Sequence, residues 1–262
     1  MTSMPNHTIP TGWTLISLRP QGQHAALRRA AAACGGGTVA LSPWRLQRLQ
    51  AATALQPLQR ALACERVVFT SPAAVAAAAA LLPLAQAQRS PWLAVGEGTA
   101  RALHAQGIGE VHAPQRMDSE GLLALPVLAD VHGLRIGLVT APGGRGLIAA
   151  QLQAAAAQIE RADVYQRLPL RLPPRGLARL AHSARPWLLA VSSGEALQRV
   201  WQQLSPGWQR RLQRQAVAVV ASERLQAQAY GLGLSHVVRS EGPTPAQMVA
   251  AAHATLTAPA AT

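Results

Sequence analysis

The sequence predicts an α/β protein in which two similar lobes each contain a doubly wound parallel sheet. Two observations support this fold class: short apolar runs alternate with helical stretches rich in Ala, Leu, Gln and Arg, and the strand-to-helix turns repeat in the two halves of the chain. At 262 residues the chain can form one large α/β domain or two compact ones.

Six short apolar runs have the composition of parallel strands that are buried on both faces. In chain order they are WTLISL (13–18), RVVFT (66–70), PWLAV (91–95), LRIGLVT (134–140), PWLLAVS (186–192) and AVAVVA (216–221). Helical stretches between them include residues 145–158 and 194–204. This alternation predicts βαβ units with right-handed crossovers.

The turns that follow these strands form the repeat. One strand ends at Ser71 and the next leads into VGEGTARAL, while near the C-terminus one strand ends at Ser193 and the next leads into VASERLQAQ. Ser71 and Thr99 are 28 positions apart, and Ser193 and Ser222 are 29 apart. Such duplicated halves predict two similar lobes with a cleft between them.

The hydroxyl residues in these turns are predicted helix caps. Ser71 precedes Pro72, which suits a first helical position, Ser192 and Glu195 have the capping-box spacing, and the last helix begins with a similar signal at Thr244. Capping alone is one interpretation. Because ligands of doubly wound sheets bind where strands end and helix N–H groups point outward, a cradle for several carboxylates is the other. The residues predicted for this cradle are Thr70, Ser71, Gly96, Thr99, Ser192, Ser193 and Ser222.

The chain carries a formal charge of +13, and all 24 basic residues are arginine. The absence of lysine excludes a Schiff-base lysine, a P-loop lysine and a kinase-type lysine. The arginines are scattered and aromatic residues total only 3%, so the charge favours a small polyanionic ligand over nucleic acid. A GC-rich genome that encodes arginine in place of lysine is the alternative explanation.

Several other kinds of site are not supported by the sequence. The GEG segment at 96–98 lacks the third glycine of a dinucleotide fingerprint, and no two of the eight histidines have i, i+4 spacing, so neither a cofactor nor a metal is predicted. Cys34 and Cys64 have no metal or disulfide spacing. The N-terminus does not resemble a secretory signal and no apolar run is long enough for a membrane span, which predicts a cytoplasmic protein.

An ordered set of segments resembles the uroporphyrinogen-III synthase family. The segments are VVFTSPAAV, AVGEGTARALHAQG, DSEGLLAL, GGRGLIAAQL with ADVYQR, VSSGEAL and ASERLQAQAYGLG. The resemblance extends from about residue 13 to residue 252. It implies two α/β lobes joined by a two-stranded β linker at 41–45 and 165–171, with a discontinuous first lobe at 1–40 and 172–262 and a second lobe at 46–164.

The resemblance also implies an activity, that of a lyase of the hydro-lyase type in haem biosynthesis. Such enzymes cyclise hydroxymethylbilane, a linear tetrapyrrole with eight carboxylates, to uroporphyrinogen III with inversion of ring D and loss of water. The substrate loses its hydroxyl to give an azafulvene, ring D attacks it to give a spiro intermediate, and fragmentation and reclosure follow. No cofactor is implied.

The same resemblance assigns roles to individual residues. Tyr165, in the VYxR context where the family carries its proposed acid, is the predicted proton donor, and packing in the linker is the alternative role for this tyrosine. Arg19, in the Arg-Pro pair after the first strand, joins the predicted substrate-binding residues. Gly144 and Arg145 join them on their local pattern, because the GGR segment opens a helix after a strand and allows close backbone approach; capping of a surface is the alternative role for Arg145.

Two other classes of function share some of these features. A two-lobed binding protein for an acidic small molecule would have the same cleft and charge without forming product. A nucleic-acid-binding module would use the charge and would lose affinity steeply with salt. The sequence favours the enzyme, and a monomer that acts without nucleic acid or membrane as a partner.

Overall fold

The structure is a computed structural model that describes residues 12–116, 119–143 and 146–257. The strands are β1 (Trp13–Ser17), β2 (Gly36–Ala40), β3 (Trp44–Arg48), β4 (Arg66–Phe69), β5 (Trp92–Ala94), β6 (Val111–His112), β7 (Arg135–Thr140), β8 (Gln158–Asp163), β9 (Tyr165–Pro169), β10 (Trp187–Val191), β11 (Ala216–Val220) and β12 (Val237–Arg239).

Helices follow most of these strands. They are α1 (Ala25–Ala33), α2 (Ala51–Leu62), α3 (Pro72–Ala79), α4 (Leu84–Ala87), α5 (Glu97–His104), α6 (Ser119–Leu123), α7 (Leu147–Ala154), α8 (Pro174–Ala181), α9 (Gly194–Gln203), α10 (Pro206–Gln215), α11 (Glu223–Gly231) and α12 (Pro245–Thr257). A short 3₁₀ turn spans Pro126–Leu128.

The chain forms two compact units, each built on one five-stranded sheet. The first unit comprises Met1–Arg45 and Pro169–Thr262, and its sheet has the order β12-β11-β10-β1-β2. The second unit comprises Leu46–Leu168, and its sheet has the order β6-β5-β4-β7-β8. A separate two-stranded sheet pairs β3 with β9. All strand pairs recorded within the two large sheets are parallel, so the predicted fold class, α/β with two doubly wound parallel sheets, is confirmed.

The six apolar runs all form strands, and these strands include the three central positions of each sheet. Every residue of β1, β5 and β10 is buried, as expected for strands covered by helices on both faces. Gly137 in β7 lies directly against α2, since a Cβ atom at this position would overlap the Ala61 carbonyl.

Four further strands, β2, β6, β8 and β12, were not predicted from the sequence. They occupy the edges of the two sheets, and most of their residues are only partly buried or exposed. An edge strand pairs on one side only, so it does not need a continuous apolar run. Strand β8, with the sequence QIERAD, illustrates this.

The predicted helix caps are confirmed in two turns and wrong by one residue in a third. Ser71 accepts a hydrogen bond from Ala74 N with proline in the first turn, and Thr244 Oγ1 accepts one from Gln247 N. At α9 the cap is Ser193, whose Oγ accepts from Ala196 N, and not Ser192 as the capping-box spacing suggested. The strand extends to Val191, and the turn that follows leaves Ser192 exposed ahead of the cap.

Within the described residues, every helix is too short or too polar to cross a membrane.

Candidate functional site

The second unit contains a concave pocket of about 150 Å³ where β4 and β7 end. Its polar lining comes from the turn after β4, the end of β7, the start of α6 and the two strands β8 and β9. The residues that supply it are Thr70, Ser71, Ser119, Thr140, Arg161, Tyr165 and Arg167. Gly143 and Gly146 line the same pocket with backbone at the start of α7. Polar groups therefore converge at the carboxyl ends of the strands, where ligands of doubly wound sheets bind.

Tyr165 and Ser71, which both line this pocket, are joined by a hydrogen bond. The Tyr165 hydroxyl lies 3.1 Å from Ser71 Oγ, and the same Oγ accepts a hydrogen bond from Ala74 N at 3.1 Å. Tyr165 is only 4% exposed and belongs to the core cluster of this unit, so packing fixes its ring beside the pocket that it lines. The N-terminus of α3 and the phenol are thus joined through one serine oxygen.

A second hydroxyl pair lies beside the first. Thr70 Oγ1 donates to Thr140 Oγ1 at 2.9 Å, and the Thr70 backbone N–H donates to the Val139 carbonyl at 3.2 Å. These contacts continue the β4–β7 ladder by one residue, and they place the two threonine side chains at the pocket wall.

Arg161 holds the chain segment after β7 in place. Its Nη2 donates to the Ala141 carbonyl at 2.8 Å and to Asp163 Oδ1 at 2.9 Å, and its Nε donates to the same carboxylate at 3.1 Å. The pair is partly exposed, so its Coulomb energy is modest. Its geometry matters more, because the guanidinium connects β8 to the backbone just ahead of the glycine turn at Gly143.

The first unit has a different polar cluster where β1 ends. His24 Nδ1 lies 2.8 Å from Ser17 Oγ, and His24 Nε2 lies 2.8 Å from Ser42 Oγ. Burial lowers the pKa of His24, and Arg28 and Arg19 lower it further, so the ring is neutral near pH 7. A neutral imidazole between two hydroxyls donates to one of them and accepts from the other.

Arg19 lies in the same β1–α1 segment as His24. Its Nη2 donates to the Pro243 carbonyl at 3.2 Å, while its buried Nε has no hydrogen-bond acceptor among the described residues. Burial lowers the pKa of this guanidinium as well. A partly buried cation that has no carboxylate partner among the described residues is a candidate for binding an anion.

A shallow groove of about 480 Å³ lies between α9 and α11 in the first unit. Its lining includes the side chains of Arg199 and Arg224, and Gln228 crosses it by donating to the Gly194 carbonyl at 3.0 Å. The groove is larger than the Tyr165 pocket, but it has no hydroxyl or imidazole in its lining. Its lining also includes the carboxylate of Glu195, so it combines both signs of charge.

The structure brings some of the predicted site residues together and separates others. Thr70, Ser71 and Tyr165 share one pocket. Gly96 is the extended residue ahead of α5, and Thr99 is buried in the first turn of that helix, so neither lines the Tyr165 pocket.

The remaining predicted residues lie in the first unit or outside the described residues. Ser193 and Ser222 cap α9 and α11, with Ser192 exposed beside the first cap. Arg19 follows β1. Gly144 and Arg145 lie outside the described residues, so their predicted role is not addressed by the structure.

Sequence reasoning missed several residues of both clusters. Thr140 ended a predicted strand and could have been chosen by the same rule as Thr70. Arg161 lies on an edge strand that the apolar-run criterion does not find, and His24 and Ser42 carry no local signal at all. Among the described residues there is no group of three or more His, Cys, Asp or Glu side chains that could hold a metal ion.

Comparison with known proteins gives one consistent family. A family model described as uroporphyrinogen-III synthase HemD matches residues 25–250. The curated uroporphyrinogen-III synthases of Salmonella typhimurium and Escherichia coli are 37% and 35% identical over 145 and 144 residues, which is 54% of this chain. These alignments span 58% of the length of each relative.

Solved structures extend the fold likeness to nearly the whole chain. A mutant uroporphyrinogen III synthase of Thermus thermophilus aligns with a TM-score of 0.63 and 16% identity, over 93% of this chain and 98% of that one. The uroporphyrinogen-III synthetase of Helicobacter pylori aligns with a TM-score of 0.60 and 12% identity, over 93% and 99%. At these identities the likeness concerns the fold alone.

Proposed function

Because this chain belongs to the uroporphyrinogen-III synthase family, we propose that it cyclises linear hydroxymethylbilane to uroporphyrinogen III, with inversion of ring D and loss of water. It would then be a lyase of tetrapyrrole biosynthesis that needs no cofactor. The substrate is a polycarboxylate, in keeping with the formal charge of +13.

The observation that carries this proposal is the placement of the Tyr165 hydroxyl. It lies in a pocket lined by hydroxyls and guanidinium groups, and Ser71 holds it by a hydrogen bond of 3.1 Å. A phenol with an ordinary pKa of about 10 is a weak acid near neutral pH. Tyr165 would therefore assist loss of the substrate hydroxyl by hydrogen bonding, and transfer its proton as the C–O bond breaks.

The proton balance of the reaction closes without any co-reactant. Tyr165 gives a proton to the departing hydroxide, which leaves as water and generates the azafulvene in its N-protonated, cationic form. Ring D then attacks the carbon that carried the hydroxyl, through its own substituted position, and forms the spiro intermediate. This intermediate fragments and recloses. The last pyrrole loses one proton as it becomes aromatic, which restores the phenol directly or through solvent.

The enzyme must control geometry as well as rate, because the free substrate closes readily without inversion. Holding a flexible chain in one conformation is a matter of proximity and orientation. Backbone N–H groups and hydroxyls suit this task, since they bind carboxylates without placing a strong nucleophile beside the electrophilic azafulvene. The residues we propose for carboxylate binding are Arg19, Thr70, Ser71, Gly96, Thr99, Gly144, Arg145, Ser192, Ser193 and Ser222.

The test is product analysis with freshly prepared hydroxymethylbilane. After incubation, oxidation to porphyrins and separation of the isomers, the proposed activity gives type III in excess over the type I formed spontaneously. A protein that only binds an acidic small molecule leaves the type I product unchanged, and that result would refute the proposal. The cytoplasmic location and the monomeric state remain predictions.

A further inference from the structure

The proposed cyclisation makes no use of the polar cluster at the end of β1, which consists of Ser17, His24 and Ser42. The two hydrogen bonds of the imidazole, each 2.8 Å long, connect a fully buried serine to a partly exposed one. His24 itself is 6% exposed. The chain of groups therefore leads from the interior of the first unit to the hydroxyl of Ser42.

Ser42 occupies the place in the first unit that Tyr165 occupies in the second. In the first sheet Ser17 pairs with the last residue of β2, and the Leu41 N–H then donates to the Ser17 carbonyl at 2.9 Å. In the second sheet Thr140 pairs with the last residue of β8, and the Val164 N–H donates to the Thr140 carbonyl at 3.0 Å. The next residue is Ser42 in one case and Tyr165 in the other, so each unit has a hydroxyl residue two positions after the end of its edge strand.

The imidazole can control the direction of the Ser42 hydroxyl. If His24 carries its proton on Nδ1, that proton goes to Ser17 and the Ser42 hydroxyl donates inward to Nε2. If the proton is on Nε2, it goes to Ser42 Oγ, and the Ser42 hydroxyl is free to donate outward. An acceptor outside the cluster selects the second arrangement.

The charge of this unit favours an anion as that acceptor. The first unit holds 14 arginines against three acidic residues, whereas the second holds ten arginines against eight. Arg19 acts electrostatically on His24, and its buried Nε lacks an acceptor among the described residues. The Gln21 N–H donates to the Trp44 carbonyl at 2.9 Å, which packs the Arg19–His24 segment against the Ser42 segment.

We propose that Arg19 and the Ser42 hydroxyl bind a carboxylate group at this edge of the first unit, and that Ser17 and His24 orient the hydroxyl toward it. His24 is a positioning residue in this site. The identity of the natural ligand rests on the proposed function: if the chain cyclises hydroxymethylbilane, the bound group is one of the carboxylates of that tetrapyrrole. The site itself can be tested without turnover.

The test uses the full chain labelled with ¹⁵N-histidine and titrated with tricarballylate, a small tricarboxylate. Long-range ¹H–¹⁵N spectra report the tautomer of each ring, and the spectrum of His24→Gln assigns its resonances among the eight histidines. The site predicts that tricarballylate moves the His24 proton toward Nε2 and raises the pKa of the ring, because a bound anion favours the protonated imidazole.

Matched variants separate direct binding from general attraction. Arg19→Gln and Ser42→Ala should each weaken tricarballylate binding roughly tenfold, the loss expected for a charge-assisted hydrogen bond. Arg28→Gln is the control, because it removes the same charge from an exposed position on α1 whose guanidinium also lowers the pKa of His24. It should leave the affinity for tricarballylate nearly unchanged. Circular dichroism verifies that each variant is folded.

The inference is overturned if saturating tricarballylate leaves the His24 resonances unchanged, or if Arg28→Gln weakens binding as much as Arg19→Gln. Its failure is distinguishable from that of the proposed function. A protein that yields type III product with silent His24 resonances lacks this site only. A protein whose His24 responds but which yields no type III product has the site and lacks the cyclisation.

Discussion

Ser71 Oγ lies 3.1 Å from the phenolic oxygen of Tyr165, although the two residues are 94 positions apart in the chain. The same Oγ caps α3 by accepting from Ala74 N. The hydroxyl proton of Ser71 can still point toward Tyr165 or away from it. If it points away, the phenol donates to Ser71; if it points toward Tyr165, the phenol can donate into the pocket. This link connects the helix cap to the proposed acid.

Replacing Ser71 with alanine should alter Tyr165 as well as the cap. The chain has only two tyrosines, and Tyr230 is 51% exposed, so 3-fluorotyrosine labelling gives two ¹⁹F signals from very different environments. We expect Ser71→Ala to shift the Tyr165 signal and leave that of Tyr230 in place. It should also lower the free energy of unfolding by about 1 kcal/mol through loss of the cap.

Ser193→Ala is the matched control, because Ser193 caps α9 in the corresponding turn of the first unit. It should cost a similar unfolding free energy of about 1 kcal/mol and leave both ¹⁹F signals unchanged. An unshifted Tyr165 signal in Ser71→Ala would show that the two hydroxyls are not coupled.

Arg161→Gln should weaken substrate binding more than it lowers stability. The substitution removes the hydrogen bonds to the Ala141 carbonyl and to Asp163, which hold the segment after β7 beside the pocket. We expect KM to rise severalfold with a smaller change in kcat, since positioning of the bound chain is lost. Arg60→Gln breaks an exposed ion pair of 3.4 Å with Glu160, a neighbouring residue of β8, and should leave KM unchanged. Equal effects of the two substitutions would contradict the assigned role of Arg161.

His24 should make stability depend on pH in the acidic range. Burial, then Arg28 and Arg19, lower its pKa in the folded chain. Above the unfolded pKa of about 6.5 both states hold a neutral ring, and the contribution of His24 is fully present. As the pH falls, the unfolded chain takes up a proton that the folded chain does not, so stability is lost until the pH passes below the folded pKa.

Urea unfolding of the wild type and of His24→Gln measures this contribution. The difference between the two unfolding free energies should be largest near pH 8 and should shrink toward pH 5, while the other seven histidines, common to both proteins, cancel. A difference that does not vary with pH would mean that His24 titrates alike in both states.

Gly137→Ala should destabilise the second unit. A Cβ atom at this position overlaps the Ala61 carbonyl, so either β7 or α2 must shift, which costs about 2 kcal/mol. Gly109→Ala is the control, since a Cβ there meets no atom within 4 Å. Thermal unfolding of the two variants gives the comparison, and equal midpoints would show that β7 and α2 are not packed so closely.

The central strands were predictable from the sequence because burial on both faces demands a continuous apolar run, as in WLLAV of β10. The edge strands were not predictable in this way, because most residues of an edge strand such as β8 are only partly buried or exposed and few apolar side chains are needed. The caps at Ser71 and Thr244 followed from local signals, whereas the choice between Ser192 and Ser193 depended on where β10 ends.

The site was predictable only in its individual members. Strand-end rules and the family resemblance indicated Ser71 and Tyr165, but their hydrogen bond depends on sheet order and on the length of β8, which no local pattern specifies. The same holds for His24, whose two serine partners lie seven and eighteen residues away on different segments. Contacts of this kind are set by topology.

The isomer ratio formed by Tyr165→Phe tests the central claim most directly. Phenylalanine keeps the packing of the ring and removes only the hydroxyl, so the fold and substrate binding should persist. We predict that the rate of type III formation falls about 100-fold, the lower range for loss of a positioned acid, and that spontaneous closure then makes type I the main product. Unchanged formation of type III by this variant would contradict the role of Tyr165 as proton donor.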